Sequence, residues 1–165
     1  MVDQSLLPGR LGNDELRFET DSRADPRIAE VVKLLGGFGA GIEPLPVDAT
    51  YEQCLDHCMA FENAQAAAHP EMFANMRKFD AVVVTEKTIL GVDGNDITLH
   101  IHQPKDRTSD LPGVVHIHGG GMVMMTAADP SAVLWRNILA EQGIVVIGVE
   151  YRNGGGQLGN HPFPA

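Results

Sequence analysis

Positive charge is scarce in this sequence. Twelve lysines and arginines stand against 22 aspartates and glutamates, a net charge of -10. Such a surface repels phosphate backbones and offers them no basic stripe, so nucleic acid is not an expected partner. Cysteine is nearly absent. The two present, Cys54 and Cys58 in CLDHC, are four apart, which is neither a CxxC redox pair nor half of a zinc site, because no second pair exists. Adjacent helical turns hold a disulfide poorly, so both read as reduced thiols packed as small apolar groups, as is usual in the cytosol. Long hydrophobic runs are missing too. None approaches the roughly 20 residues of a membrane span, and the opening MVDQSLLPGRLG has neither the basic start nor the apolar stretch of a secretion signal. The expectation is a cytoplasmic protein. What remains is 165 residues, 44% of them hydrophobic, enough to bury the core of one domain or of part of one.

Periodicity then orders the chain. Asp25 can cap a helix that has Pro26 at its first position, and Ile28, Val31, Val32, Leu34 and Leu35 form its apolar stripe up to Gly36. The GGFGAG run from Gly36 to Gly41 fails the GxGxxG spacing and closes a helix where a nucleotide fingerprint would leave a strand, so no phosphate site is read there. Beyond Pro44 and Pro46, Thr50 caps a second helix running to about Ala68, with Leu55, Met59 and Phe61 among its apolar positions, and His69-Pro70 ends it. From Ala81 the residues become β-branched. VVVTEKTIL and ITLHIHQP flank the turn GVDGND and predict a hairpin. A buried strand VVHIH follows, then a helix from Asp129 or Pro130 to about Gln142 with Trp135 and Leu139 inward, then a second buried strand, IVVIGVE.

The fold class is therefore α/β, with a helical segment over residues 1–80 and a hairpin plus βαβ unit over 81–165. A βαβ crossover makes its two strands parallel. The strand from Ile144 to Glu150 is expected at the edge of this sheet, although it is as apolar as a central strand, so that more chain belongs beside it.

Three consecutive glycines, Gly119 to Gly121, come directly after the strand that ends in His118. Glycine loses more chain entropy on folding than any other residue, so a run of three needs a reason. In open α/β sheets ligands sit beyond the carboxyl ends of the strands, where this run lies. Glycines there can turn bare main-chain N–H groups toward a ligand oxygen. Acyl transfer calls for that arrangement, because charge grows on the carbonyl oxygen as the tetrahedral intermediate forms.

HGGGM at His118 to Met122, followed about thirty residues later by YRNGGGQLGNHPFPA at Tyr151 to Ala165, resembles the hormone-sensitive-lipase-like branch of the α/β-hydrolases. The resemblance covers about Val82 to Ala165, and the helices before it only by position. It implies that the N–H groups of Gly120 and Gly121 form the oxyanion hole. Gly119 would give the loop its turn, His118 would support the loop through its side chain, and Met122 would face the acyl or alcohol pocket. Tyr151 and Arg152 would stand behind the loop, and the helices before Asp80 would form a cap that helps to choose the substrate. In the family a proline-acidic step follows the tyrosine-arginine pair, whereas here NGGGQLGN replaces it. The family's nucleophile is the serine of GxSxG, followed by an acid and a histidine. The four serines, Ser5, Ser22, Ser109 and Ser131, do not stand in that motif.

The sequence thus reads as the N-terminal half of a serine carboxylesterase for short or medium acyl esters and lactones. Its partners would be a small ester and a C-terminal half carrying the GxSxG serine. No metal or other cofactor is called for, and a homo-oligomer is compatible with the sequence. Two other readings stand beside it. His100 and His102, like His116 and His118, are spaced by two and share a strand face, as in metal-binding domains that use imidazole for zinc or iron. A hydrolase-derived binding module without chemistry is the other. Met122, Val123, Met124 and Met125 could line an apolar pocket or pack as core.

Overall fold

The computed structural model describes residues 15–34, 45–159 and 161. The chain divides into two units, Met1–Pro44 and Leu45–Ala165. In the first, a 3-10 turn at Phe18–Thr20 precedes helix α1, Pro26–Leu34. Asp25 caps α1, its Oδ1 accepting from the Arg27 amide at 2.9 Å, and Val32 is buried. Leu35, Gly36 and the GGFGAG run lie outside the described residues.

The second unit opens with helix α2, Tyr51–Met72, closed at its start by a capping box in which Thr50 and Gln53 bond each other's amides. The helix runs past Ala68 and takes Pro70 into its last turn. A proline at that place loses its own N–H bond and crowds the carbonyl four residues earlier, which weakens or kinks a helix without always ending it. The Phe73 amide still donates to the His69 carbonyl at 2.9 Å. Both cysteines are free thiols, Cys58 buried and Cys54 exposed, so only Cys58 packs as a small apolar group.

Strands β1 (Val82–Leu90) and β2 (Asp96–Pro104) form the hairpin, and β3 (Gly113–Ile117), α3 (Pro130–Glu141) and β4 (Val145–Glu150) form the βαβ unit. Asp129 caps α3 through the Ser131 amide, with Pro130 at its first position. The four strands lie in the order β1-β2-β4-β3, with β3 and β4 parallel and the other neighbours antiparallel. The expected edge position of Ile144 to Glu150 is therefore corrected. Strand β4 is interior, because β2 pairs along it from Thr98 opposite Glu150 to His102 opposite Val146. Strand β3 has β4 as its only partner among the described residues.

Pairing register assigns the faces, since opposed residues point the same way. His102, Val146 and Val114 share one row, and His100, Gly148 and His116 the next. These rows lie under α3, with His102 and Val146 sealed from solvent. Val115 and Ile117 point to the other face and are 64% and 59% exposed. Trp135, expected inward, is 43% exposed and keeps one side of its indole against the His116 ring, at 4.8 Å between centroids. Arg136 takes the inward place instead, with no exposed surface.

Candidate active site

Strand β3 delivers the glycine loop to the carboxyl end of the sheet, and the loop's shape follows from where its carbonyls go. The His118 carbonyl accepts the Tyr151 hydroxyl proton at 2.7 Å, and the Gly119 carbonyl lies 2.8 Å from His118 Nδ1. The Gly120 carbonyl accepts from the amides of Val123 and Met124 at 3.1 and 3.2 Å. A trans peptide is planar, so fixing one C=O aims the N–H of the next residue the opposite way. The three internal acceptors thus fix the directions of the Gly119, Gly120 and Gly121 amides. Those amides have no acceptor among the described residues.

The backbone here admits only glycine at one point. Gly120 has φ +110, and a Cβ on it would lie 1.9 Å from the Met124 carbonyl oxygen. Gly121 has φ +65, and Met122 and Met125 hold φ values of 60 and 72 without being glycine. Such left-handed residues persist where surroundings over-determine them. At Met125 they do. Its amide donates to Glu62 Oε1 and its carbonyl accepts from Asn153 Nδ2 at 2.6 Å. Met122 itself is 74% exposed.

Behind the loop, the His118 ring stacks on Tyr151 at 4.0 Å and 9°. Burial, reinforced by Glu150, raises the Tyr151 phenol above its ordinary pKa, so the hydroxyl stays a donor. Glu150 ends β4 with its Oε1 at 2.9 Å from the Ala127 amide and 3.3 Å from His118 Nε2. Arg152 reaches elsewhere. It pairs with Asp93 in the hairpin turn at 2.7 Å and so braces β1 and β2, not the glycine loop.

Under α3 lies a polar core that the sequence conceals. Arg136 Nε donates to His102 Nε2 at 2.9 Å, its Nη1 lies 3.2 Å from His116 Nδ1, and its Nη2 donates to the Ala127 carbonyl. His102 Nδ1 lies 2.7 Å from Asn137 Oδ1, so the proton sits on Nδ1 and the lone pair on Nε2. Burial, and then the neighbouring guanidinium, hold both imidazoles below the ordinary histidine pKa. Of the four histidines in the metal reading, His100, His102, His116 and His118, this guanidinium takes His102 Nε2 and lies against His116 Nδ1, while His100 and His118 face Glu86 and Glu150, so the four do not converge as a metal set. Among the described residues no three His, Cys, Asp or Glu groups stand together to hold a metal.

A pH dependence follows. Unfolded, both histidines titrate near 6.5; folded, they resist protonation. As pH falls below about 6.5 the unfolded chain binds the extra protons, so stability declines on the acid side and gains no slope from these groups above it. The urea midpoint is expected to fall between about pH 6.5 and pH 5, less so in His102→Asn. A midpoint that stays flat over that interval contradicts the assignment.

Beside the loop, an open cleft is lined by Glu62, Gln65 and His69 of α2 and by Met125, Asp129 and Gln157. No described helix is long and apolar enough to cross a membrane. Sequence reasoning missed Glu62, Arg136, Glu150 and Asn153. Only Arg136 left signals: it interrupts the apolar AVLWRNIL, and Gly148 within β4 marks a close approach, now seen to be that of its guanidinium, 2.7 Å from a Cβ placed there. Asn160 and residues 162–165, which include most of the HPFPA segment, lie outside the described residues.

No family model matches the chain. Arylacetamide deacetylase-like 3 of Homo sapiens is 33% identical over 112 residues, 64% of this chain and 25% of that protein. Among solved structures, brefeldin A esterase, a bacterial homologue of human hormone-sensitive lipase, matches with a TM-score of 0.73 and 34% identity, over 96% of this chain and 44% of its own. The esterase Est22 matches with a TM-score of 0.69 and 25% identity, over 91% of this chain and 44% of its own. The chain thus spans between a quarter and less than half the length of these relatives.

Proposed function

For a chain that forms part of an α/β-hydrolase domain of the hormone-sensitive-lipase-like kind, we propose that it supplies the oxyanion hole of a carboxylic ester hydrolase. One observation carries this reading: three carbonyls of the glycine loop are tied inward while the amides of Gly120 and Gly121 are left unbonded at the strand end. A serine from a GxSxG segment outside this chain attacks the ester carbonyl, whose oxygen takes the electron pair and turns toward those two amides. A histidine receives the serine proton and passes it to the departing alcohol, and an acid orients that histidine. Each preorganised amide is worth roughly 3 to 4 kcal/mol to that transition state.

His118 supports the loop, with Gly119 forming its turn, and Met122 contributes to the wall for the acyl or alcohol group. Within the segment before Asp80, helix α2 acts as part of the cap that selects among short and medium acyl esters and lactones. The working enzyme is cytoplasmic, and its second half carries the nucleophile, acid and base. The 165-residue chain alone is expected to leave p-nitrophenyl esters uncleaved, and to gain turnover when joined to a segment carrying GxSxG. Robust hydrolysis by the chain alone, or none by the joined protein, contradicts the proposal.

A further inference from the structure

We propose that Glu62 of helix α2 is a positioning residue for this reaction, its carboxylate setting the oxyanion loop; the proposal rests on the role given above to Gly120 and Gly121. Glu62 is 7% exposed, and each carboxylate oxygen accepts one main-chain N–H, Oε1 from Met125 and Oε2 from Gln157 at 2.6 Å. Burying a carboxylate is costly unless its oxygens are bonded, and bonds to an ionised acceptor are the strong ones. The partners are 63 and 95 residues away in sequence, in the two loops at the carboxyl ends of β3 and β4. A single side chain of α2 thus joins both.

From Met125 the constraint reaches the glycines within one turn. Met125 holds φ 72 with its amide on Glu62 and its carbonyl on Asn153. The preceding residue, Met124, presents its carbonyl against Gly120 and gives its amide to the Gly120 carbonyl. Displacing Met125 therefore turns the Gly120 carbonyl, and with it the Gly121 N–H on the same peptide plane. On the other side, Gly156 makes room for the carboxylate. It has φ +69, and a Cβ there would stand 2.5 Å from Glu62 Oε2.

Glu62→Gln keeps one acceptor oxygen and puts an NH2 against the second amide, so one of the two bonds must break. In amide NMR of this chain, the Gly120 and Gly121 resonances are expected to shift and the Met125 or Gln157 amide to exchange at least about tenfold faster, while sheet amides such as Val146 stay unchanged. In the protein joined to the GxSxG segment, kcat for p-nitrophenyl acetate is expected to fall about 10- to 100-fold, with KM changed less than about threefold, as for an interaction made in the transition state. Glu62→Asp keeps the charge but draws it back by one methylene, and gives the same readouts if the glutamine variant fails to fold. Unmoved glycine resonances, exchange that rises across the whole sheet, or an intact kcat would each overturn the proposal. Absence of turnover in the unsubstituted joined protein would instead overturn the functional reading beneath it.

Discussion

Gly120→Ala is expected to cut ester hydrolysis by the joined enzyme about 100- to 1,000-fold, the loss seen when one oxyanion donor is removed. The reason is geometric. Gly120 sits at φ +110, where a side chain is strained, and the added methyl would stand 1.9 Å from the Met124 carbonyl oxygen, inside any permissible contact. The loop must open to admit it. The Gly120 carbonyl then loses the Val123 and Met124 amides, and the Gly121 N–H swings with the peptide plane. Gly113→Ala at the start of β3 serves as the control, since its methyl would meet only the Val145 carbonyl oxygen, at 3.9 Å. Turnover of p-nitrophenyl acetate by the two variants, with circular dichroism to verify the sheet, decides the matter. A Gly120→Ala protein within about threefold of the parent rate would remove the loop from the mechanism.

Arg136→Ala is the second large change expected, a loss of about 3 to 5 kcal/mol of folding stability, as when one member of a buried polar set is taken away. Arg136 is fully enclosed, and its removal leaves His102 Nε2, His116 Nδ1 and the Ala127 carbonyl without a donor beneath α3. Lysine is not a substitute, because one ammonium cannot reproduce a planar fork serving three acceptors. Urea unfolding should show a lower midpoint with an unchanged slope. Gly148→Ala pushes on the same group, its methyl meeting the guanidinium at 2.7 Å, so its cost should largely vanish in an Arg136→Ala background. Additive costs for the two substitutions would show that they do not act through one contact.

The local elements were legible because periodicity is a local property. The alternating β-branched runs of the hairpin, the caps at Thr50 and Asp129, and the strand-helix-strand unit all appear where the residues place them. Sheet order was not legible. Whether β2 or solvent lies beside β4 depends on a pairing between residues about fifty apart, and nothing in IVVIGVE names its neighbour. The polar core was concealed for a similar reason. An arginine on a helix reads as an outward residue until the histidines that receive it, 34 and 20 positions earlier, are brought beneath it. The glycine run could be recognised as unusual, and its resemblance pointed to acyl transfer. The partners that hold it come from two distant stretches, Glu62 from α2 and Tyr151 and Asn153 from the segment after β4.

Strand β3 carries one more consequence. Its outer rim presents peptide groups without a partner among the described residues, and Val115 and Ile117 lie bare on the face away from α3. A rim of that kind is a template for any extended polypeptide. The strand that delivers the glycine loop is thus also one of the two open edges of the described sheet. A tendency of the chain to gather with its own kind as it is concentrated would, at this edge, arise a few residues from the glycine loop.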